Sequence, residues 1–258
     1  MPATTPPPPV QALIFDMDGL LVDSEPLTGI ALAALLEQHG CVVDWNDQAL
    51  VARLMGRRMT EILAVLADIC GITTPADELN EMLEALRVQT LRGQLRAMPG
   101  AVDLIAYAAA CGLPLALATS GRRTYVDAVL AEARLTGCFA VEVTGAEVTH
   151  GKPNPETYER AASRLRVDAA ACVVLEDAPN GIAAAVAAGM RAIAIPNVYT
   201  RDLPFVPPPE VTLPDLHAVI PWLWQQGHAA SSPRARDDVG KRYAGRARAL
   251  PDGWRVFR

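Results

Sequence analysis

Short apolar runs and longer helical patterns alternate along most of this chain. Five runs are each typical of a buried strand; they cover residues 10–15, 114–118, 139–143, 172–175 and 191–195. Helical patterns accompany the last four of these runs, over residues 102–111, 123–134, 156–165 and 181–188. Strands that alternate with helices predict an α/β fold, built on a Rossmann-like parallel sheet with helices on both faces.

The stretch between the first and second predicted strands has helical patterns only. Three of its helices end at a glycine, at Gly40, Gly56 and Gly71, and Thr74-Pro75 opens a fourth, longer helix. We therefore expect residues 25–95 to form a helical cap domain. It is inserted into an α/β core domain made of residues 10–24 and 96–227.

The two ends of the chain lack such patterns. Residues 1–9 are rich in proline, and residues 228–258 are rich in arginine, alanine, serine and glycine, so both are predicted to be disordered. The formal net charge is −6, but residues 228–258 carry eight basic and three acidic residues. The C-terminal tail is therefore basic, and the rest of the chain is strongly acidic.

Composition excludes several classes of protein. The chain is 51% hydrophobic and 20% charged, which is typical of a globular protein, and its acidic balance argues against a nucleic-acid partner. The five cysteines are scattered and form no CxxC pair, so neither a disulfide framework nor a zinc site is indicated. Residues 1–9 lack the features of a signal peptide, and the longest apolar run, 104–119, is broken by Gly112 and Pro114. We expect a cytoplasmic protein with no membrane partner.

Acidic residues follow the first predicted strand directly. Asp16 and Asp18 are two positions apart, so their side chains point the same way if the extended backbone continues. Ligands bind at the carboxyl ends of strands in open α/β sheets, and Gly19 lets the chain leave the strand sharply. Paired carboxylates suit metal binding, nucleophilic attack and proton transfer. An acidic turn that merely caps a strand is the alternative.

Two later segments suit the binding of a phosphate group. Thr119, Ser120 and Gly121 follow the second strand, where a hydroxyl and free backbone N–H groups could hold phosphate, although Thr and Ser are also common helix caps. Lys152 is the only lysine before residue 241, and Pro153 keeps it out of a regular strand or helix. It could bind a phosphate oxygen or be an ordinary solvated loop lysine.

The fourth predicted strand ends in Glu176 and Asp177. Neighbouring carboxylates are the hard oxygen ligands that Mg²⁺ prefers, although Asp177 is also placed to cap a helix.

All these segments lie at carboxyl ends of predicted strands and should converge on one cleft. Each pair of like charges about 4 Å apart costs on the order of 4 kcal/mol at an effective dielectric constant of about 20. Such a site requires counter-charges, for which Mg²⁺ and Lys152 are the candidates.

In these motifs the chain resembles the haloacid dehalogenase-like (HAD) hydrolase superfamily, in particular members with a small helical cap. The resemblance covers about residues 10–227 and rests on four motifs in order, Asp16-x-Asp18, Thr119-Ser120, Lys152 and Glu176-Asp177. The tail beyond residue 227 has no counterpart that we recognise in the family.

The resemblance implies a role for each motif. Asp16 would be the nucleophile that forms an aspartyl-phosphate, and a carboxylate with an ordinary pKa of about 4 is ionised at neutral pH. Asp18 would be the general acid and base, and Thr119, Ser120 and Lys152 would bind the phosphoryl oxygens. Mg²⁺ would be held by Asp16, Glu176, Asp177 and the main-chain carbonyl of Asp18. True dehalogenases of the superfamily lack the second aspartate, so Asp18 argues against dehalogenation.

The resemblance leaves two reactions open. The favoured one is a Mg²⁺-dependent phosphatase that acts on a small phosphorylated metabolite, a sugar phosphate in the first instance. The other is a sugar-phosphate mutase similar to β-phosphoglucomutase, whose cap uses an arginine and a lysine to hold a second phosphate. Residues 25–95 contain no lysine, and Met59 stands where the mutase arginine aligns, which weakens that alternative. A protein that kept the fold without catalysis has no support, since every catalytic position is filled.

Further residues are candidates for binding the substrate. Gly56, Arg57 and Arg58 form a cap turn that we expect to face the site, and Gly121 and Arg122 follow the Thr-Ser pair. Solvation of these arginines at the surface is the competing interpretation. The sequence predicts neither the particular substrate nor the oligomeric state.

Overall fold

The computed structural model describes residues 8–54 and 59–228. Within them a parallel sheet of six strands forms the centre of the larger of two units. The strands are β1 (Ala12–Phe15), β2 (Leu115–Ala118), β3 (Val141–Val143), β4 (Cys172–Glu176), β5 (Arg191–Ala194) and β6 (Val211–Thr212). Their order is β3-β2-β1-β4-β5-β6, and every neighbouring pair is parallel, as an α/β fold requires.

The chain divides into two compact units. Of the described residues, those between positions 24 and 95 form the helical unit, and the others form the sheet unit. The helical unit contains α1 (Glu25–Gln38), α2 (Gln48–Leu54), α3 (Met59–Cys70) and α4 (Ala76–Thr90). The sheet unit contains α5 (Ala101–Ala110), α6 (Arg123–Glu132), α7 (Glu156–Leu165), α8 (Pro179–Ala187) and α9 (Val219–Gln225).

The first strand lies in the middle of the sheet although it is first in the chain. Leu13 pairs with Leu115 of β2 on one side and with Val173 of β4 on the other. All residues of β1, β2 and β4 are buried, which explains why their sequences are continuous apolar runs without alternation. Alanines dominate the core between the sheet and α7 and α8, so the helices pack closely against the strands.

The structure adds two elements to those expected from the sequence. The two-residue strand β6 pairs with β5 at the edge of the sheet, and α9 follows it. Both lie in residues 196–227, where prolines interrupt the hydrophobic pattern. A strand of two residues is too short for any alternation to be recognised.

The helical unit is held by leucines from three helices. Leu35 of α1, Leu63 and Leu66 of α3, and Leu79 of α4 are each at most 1% exposed and belong to one apolar cluster. Leu63 and Leu66 are three residues apart, which places them on one face of α3. The Arg87 guanidinium adds a hydrogen bond of 3.0 Å to the hydroxyl of Thr28, which joins α4 to α1.

A disulfide joins Cys41 and Cys70, and the expectation of no disulfide was wrong for this pair. Cys41 lies just after α1 and Cys70 is the last residue of α3, so the packing of helices brings them together. Their separation of 29 residues carries no signal in the sequence, because pairing depends on that packing. Disulfides are rare in cytosolic proteins, so the cysteines do not support the expected cytoplasmic location.

Some predictions fall outside the described residues. Gly56, Arg57 and Arg58 do so, as does nearly all of the two termini for which disorder was predicted. Of the helices in residues 8–54 and 59–228, none is both long enough and apolar enough to cross a membrane.

Candidate active site

Asp16 lies at the carboxyl end of the central strand. Its main-chain N–H still donates to Leu175 of β4, at 3.1 Å, so the sheet fixes its position. The residue is only 8% exposed although its side chain is a carboxylate. A buried charge requires a partner, and the partner of Asp16 comes from a distant part of the chain.

That partner is Lys152, whose ammonium group has three acceptors. Its Nζ atom lies 2.5 Å from Oδ1 of Asp16, 2.7 Å from Oε1 of Glu176 and 3.1 Å from the carbonyl oxygen of Ala118. These acceptors follow or end β1, β4 and β2 respectively. Lys152 therefore ties together the carboxyl ends of three neighbouring strands and is not a solvated loop lysine.

Local hydrogen bonds hold the loop that carries Lys152. The Glu156 carboxylate, in the first turn of α7, accepts from the main-chain N–H groups of Thr149 and His150 at 3.0 and 2.9 Å. The side chain of Asn154 accepts from the N–H of Glu156 at 3.0 Å. The loop is thus anchored on both sides of Lys152 to the start of one helix.

Glu176 is buried among groups that donate hydrogen bonds to its carboxylate. Its Oε1 accepts from the Tyr158 hydroxyl at 2.8 Å, and its Oε2 accepts from the N–H of Ala178 at 3.0 Å. The ring of Tyr158 also lies beneath the Lys152 ammonium, 4.7 Å from its centroid. Tyr158 therefore supports both members of the ion pair, through its hydroxyl and through its ring.

Three buried carboxylates could hold a metal ion. Asp16, Glu176 and Asp177 each offer an oxygen, and these oxygens lie within 4.8 Å of one another. Oxygen donors with negative charge fit Mg²⁺, which prefers hard ligands, and do not resemble a zinc site of nitrogen and sulfur donors. The donor set therefore fits the divalent cation that the sequence motifs imply.

The buried charges shift one another's proton affinity. Burial raises the pKa of Asp16 to about 7, with the charge of Glu176 acting in the same direction and Lys152 opposing it. Burial alone would lower the pKa of Lys152, but Asp16 and Glu176 raise it well above its ordinary value. Lys152 therefore stays charged, whereas the ordinary carboxylate pKa expected from the sequence does not apply to Asp16. A second cation beside Asp16 would favour its ionised form.

Asp18 takes a different partner from Asp16. Its Oδ1 accepts a hydrogen bond of 2.6 Å from the hydroxyl of Tyr125 in α6. Asp18 is half-buried, whereas Tyr125 is 2% exposed. The two aspartates are thus held by separate elements, Asp16 by the lysine loop and Asp18 by the first turn of α6.

The loop after β2 is closed by its own threonine. The hydroxyl of Thr119 accepts from the N–H of Gly121 at 3.1 Å, and Gly121 in turn accepts from the N–H of Gly145 at 2.9 Å. Gly145 has no room for a side chain, because a β-carbon there would lie 2.2 Å from the carbonyl oxygen of Ser120. The loop after β3 therefore supports the loop that contains Ser120, which itself is exposed.

A residue after β5 joins two acidic segments. The Asn197 amide nitrogen donates to Oδ2 of Asp177 at 2.9 Å and to the carbonyl oxygen of Gly19 at 3.2 Å. Gly19 has a φ of +79°, and a β-carbon there would lie 2.7 Å from both the Asn197 amide and Asp177. Only glycine fits this close approach, so the turn after Asp18 is fixed against Asp177.

The structure brings Asp16, Lys152, Glu176 and Asp177 together at one end of the sheet. Thr119 and Gly121 lie in the adjoining loop, and Arg122 is an exposed residue that precedes α6. Tyr125, Tyr158 and Asn197 were not predicted from the sequence. Asn197 could have been predicted, because it lies just beyond the carboxyl end of β5. The carboxyl ends of all strands in a parallel sheet lie at the same edge, where the other site residues are. The tyrosines lie inside helical patterns and gave no such signal.

A parallel α/β sheet with buried carboxylates and a lysine at its carboxyl end agrees with the hydrolase superfamily that the sequence motifs resemble. Residues 10–189 match the family described as haloacid dehalogenase-like hydrolase. The chain belongs to this family, and the resemblance predicted from its motifs is confirmed.

Relatives cover most of the chain. It is 34% identical over 221 residues to protein CbbY of Rhodobacter capsulatus. The aligned residues make up 81% of this chain and 95% of that protein. Hexitol phosphatase B of Escherichia coli K12 is 30% identical over 199 residues, 77% of this chain and 89% of the relative. The crystal structure of CbbY from Rhodobacter sphaeroides in complex with phosphate has a TM-score of 0.71 and 28% identity, and covers 80% of this chain and 95% of that one.

One relative is much longer. The chain is 29% identical over 187 residues, 72% of its length, to the bifunctional riboflavin kinase/FMN phosphatase of Arabidopsis thaliana. These residues span 48% of that protein.

Proposed function

We propose that this hydrolase is a Mg²⁺-dependent phosphatase that cleaves a small phosphorylated metabolite, a sugar phosphate in the first instance. The observation that carries the proposal is the cluster of Asp16, Lys152, Glu176 and Asp177 at the carboxyl ends of β1 and β4. Hexitol phosphatase B and the phosphate complex of CbbY are similar proteins whose names and ligand agree with it.

Asp16 is the nucleophile in this proposal. One of its carboxylate oxygens attacks phosphorus, and the bond between phosphorus and the ester oxygen breaks. Asp18 gives a proton to that oxygen, so the product leaves as an alcohol. A water molecule then attacks the aspartyl-phosphate, Asp18 takes its proton, and the bond between phosphorus and Asp16 breaks. Inorganic phosphate leaves, and both carboxyl groups return to their starting states.

Cations make this site able to accept an anion. Asp16, Glu176, Asp177 and the main-chain carbonyl of Asp18 are the groups that would hold Mg²⁺, which when bound neutralises negative charge on the phosphoryl group. Lys152 lies against Asp16 and adds a fixed positive charge beside the nucleophile. The loop of Thr119 and Ser120 would hold the remaining phosphoryl oxygens through its hydroxyl and N–H groups.

The helical unit is proposed to be the cap that such enzymes use to choose a substrate. Arg57 and Arg58, with Gly56, are its candidate substrate-binding residues, and Arg122 is one in the sheet unit. The absence of lysine from residues 25–95 favours a phosphatase over a mutase, which must retain a second phosphate.

The proposal is tested by Asp16→Asn, which keeps the size of the side chain but removes its charge. Phosphate release from a panel of phosphorylated metabolites, with and without Mg²⁺, should be abolished in this variant. Circular dichroism should show an unchanged fold. Asp127→Asn, which alters an aspartate that is 61% exposed on α6, is the matched control and should remain active. Retained turnover in Asp16→Asn would refute the mechanism.

The mutase alternative has its own assay. The protein is incubated with β-glucose 1-phosphate and a bisphosphate activator, and both glucose 6-phosphate and free phosphate are followed. We expect free phosphate to appear faster. The opposite order of rates would replace the phosphatase by a mutase.

A further inference from the structure

The hydroxyl of Tyr125 is a buried polar group that the motifs do not account for. It lies 2.6 Å from Oδ1 of Asp18 and donates a hydrogen bond to it. Tyr125 is 2% exposed, so the donor is held away from bulk water. A short bond from a neutral donor to a carboxylate in such surroundings strongly restricts the orientation of the carboxyl group.

The position of the Tyr125 ring is itself fixed. The residue lies in the first turn of α6, directly after the loop of Thr119 and Ser120. A β-carbon at Gly121 would lie 3.1 Å from Cδ1 of the ring, so the loop backbone packs directly on it. The hydroxyl is therefore placed by the same loop that is proposed to bind the phosphoryl group.

We propose that Tyr125 is a positioning residue that orients Asp18 for proton transfer. The hydroxyl can donate to Oδ1 whether Asp18 is ionised or carries its proton on Oδ2. The carboxyl plane thus stays fixed through the cycle, and Oδ2 delivers the proton to the ester oxygen and later removes one from water. The inference rests on the proposed role of Asp18 as acid and base, but assigns a function to a residue outside the motifs.

Esters with different leaving groups depend to different degrees on a proton from Asp18. Phenolate is a poor leaving group that needs a proton, whereas p-nitrophenolate leaves readily without one. Phenyl phosphate and p-nitrophenyl phosphate have nearly the same shape, so they separate proton donation from binding. For both esters, kcat/KM reports the steps up to formation of the aspartyl-phosphate, where Asp18 acts as the acid.

The test compares Tyr125→Phe with the unaltered protein on both esters in the presence of Mg²⁺. Phenylalanine keeps the ring and removes only the hydroxyl. We expect kcat/KM to fall about tenfold for phenyl phosphate, because one hydrogen bond to a charged group is lost. For p-nitrophenyl phosphate we expect less than about a threefold fall, because the acid contributes little to that step.

Two further variants separate positioning from a general loss of structure. Tyr107→Phe removes a hydroxyl that donates to the carbonyl oxygen of His228 at 2.6 Å, outside the residues of the proposed mechanism, and should keep kcat/KM for both esters. In an Asp18→Asn background, Tyr125→Phe should cause no further loss, because the group through which it acts is already disabled.

The outcomes are distinct. An equal fall on the two esters, no fall on phenyl phosphate, or a full additional loss in the Asp18→Asn background would overturn the role of Tyr125. These results would leave the phosphatase proposal intact, provided that Asp18→Asn itself is impaired. Full activity of Asp18→Asn would instead overturn the proposed mechanism and with it this inference.

Discussion

Gly181 lies directly against the carboxylate of Glu176. A β-carbon on Gly181 would be 1.7 Å from Oε1 and 1.9 Å from Cδ of that side chain. Gly181 is in the first turns of α8, and Glu176 ends β4, so the helix reaches the carboxylate only because one residue has no side chain. The arrangement brings the Ala178 N–H within 3.0 Å of Oε2, which helps to hold a buried charge.

We expect Gly181→Ala to displace Glu176 and to weaken its contacts with Lys152 and Tyr158. Activity should fall at least about tenfold, and the thermal midpoint should drop, because overpacking costs about 1–3 kcal/mol. Gly29→Ala is the matched control, since Gly29 is exposed within α1 with nothing near its missing side chain. That change should raise stability by up to about 1 kcal/mol. Equal activity of the two variants would contradict the role of this contact.

Lys152→Gln should destabilise the protein as well as inactivate it. The substitution leaves Asp16 and Glu176 buried without their shared cation, a change that typically costs about 3–5 kcal/mol. Arg160→Gln is the control, because it breaks the partly exposed pair with Glu156 at 2.9 Å, which is worth at most about 1 kcal/mol. Thermal unfolding of the three proteins measures both effects. Similar midpoints for the two variants would show that the buried ion pair does not support the fold.

Asn197→Ala should weaken the binding of Mg²⁺ without changing a proposed ligand. The amide orients Oδ2 of Asp177 and holds the turn at Gly19, and the loss of such a supporting group typically costs about 10- to 100-fold in affinity. Isothermal titration calorimetry with MgCl₂ measures the change directly, without relying on turnover. Asn46→Ala, which removes an exposed amide hydrogen-bonded to Asp44, should keep the affinity of the unaltered protein. If the two variants bind Mg²⁺ equally, Asn197 does not position Asp177.

Glu147 should contribute stability that depends on pH. Burial acts to raise its pKa, but hydrogen bonds from Arg164 and Thr144 lower it from 4.5 to about 2. The pKa of Glu147 is lower in the folded protein than in the unfolded chain. Its contribution to the stability of the fold is therefore complete above about pH 4.5 and is lost as the pH falls towards 2.

The free energy of unfolding measures this contribution. Glu147→Gln should cost about 1–2 kcal/mol at pH 7, and the difference from the unaltered protein should shrink as the pH is lowered to 3.5. In an Arg164→Gln background the same substitution should cost less, since one donor has already gone. A difference that is constant from pH 7 to 3.5 would show that the ionised form of Glu147 is not what the fold stabilises.

The sheet was predictable because burial leaves a strong mark on sequence. The first, second and fourth strands are buried throughout, so their apolar runs were correctly recognised, and parallel pairing followed from the intervening helices. The edge strand β6 was not predictable, because two residues at the rim of a sheet need no apolar pattern. The bond between Cys41 and Cys70 was missed for a related reason, since it depends on how helices pack.

Charged residues of the site were easier to identify than their neutral partners. A lysine or a pair of carboxylates after an apolar run is conspicuous, as with Lys152 and Glu176. A tyrosine within a helical pattern is indistinguishable from an ordinary core residue, and only the structure shows that Tyr158 and Tyr125 donate to carboxylates. The side of the helix on which such a hydroxyl lies depends on the packing of the whole unit.

The central position of β1 determines when the site can form during synthesis. Leu13 leaves the ribosome before its neighbours Leu115 and Val173, which follow only after the whole helical unit. Until β4 has been made, β1 has one open edge, and Asp16 lacks the acidic end of β4 beside it. The helical unit, whose contacts are local in the chain, can fold before β1 has paired with its neighbouring strands. A nascent chain that stops before Cys172 should therefore lack a folded sheet, and protease sensitivity of stalled chains measures this.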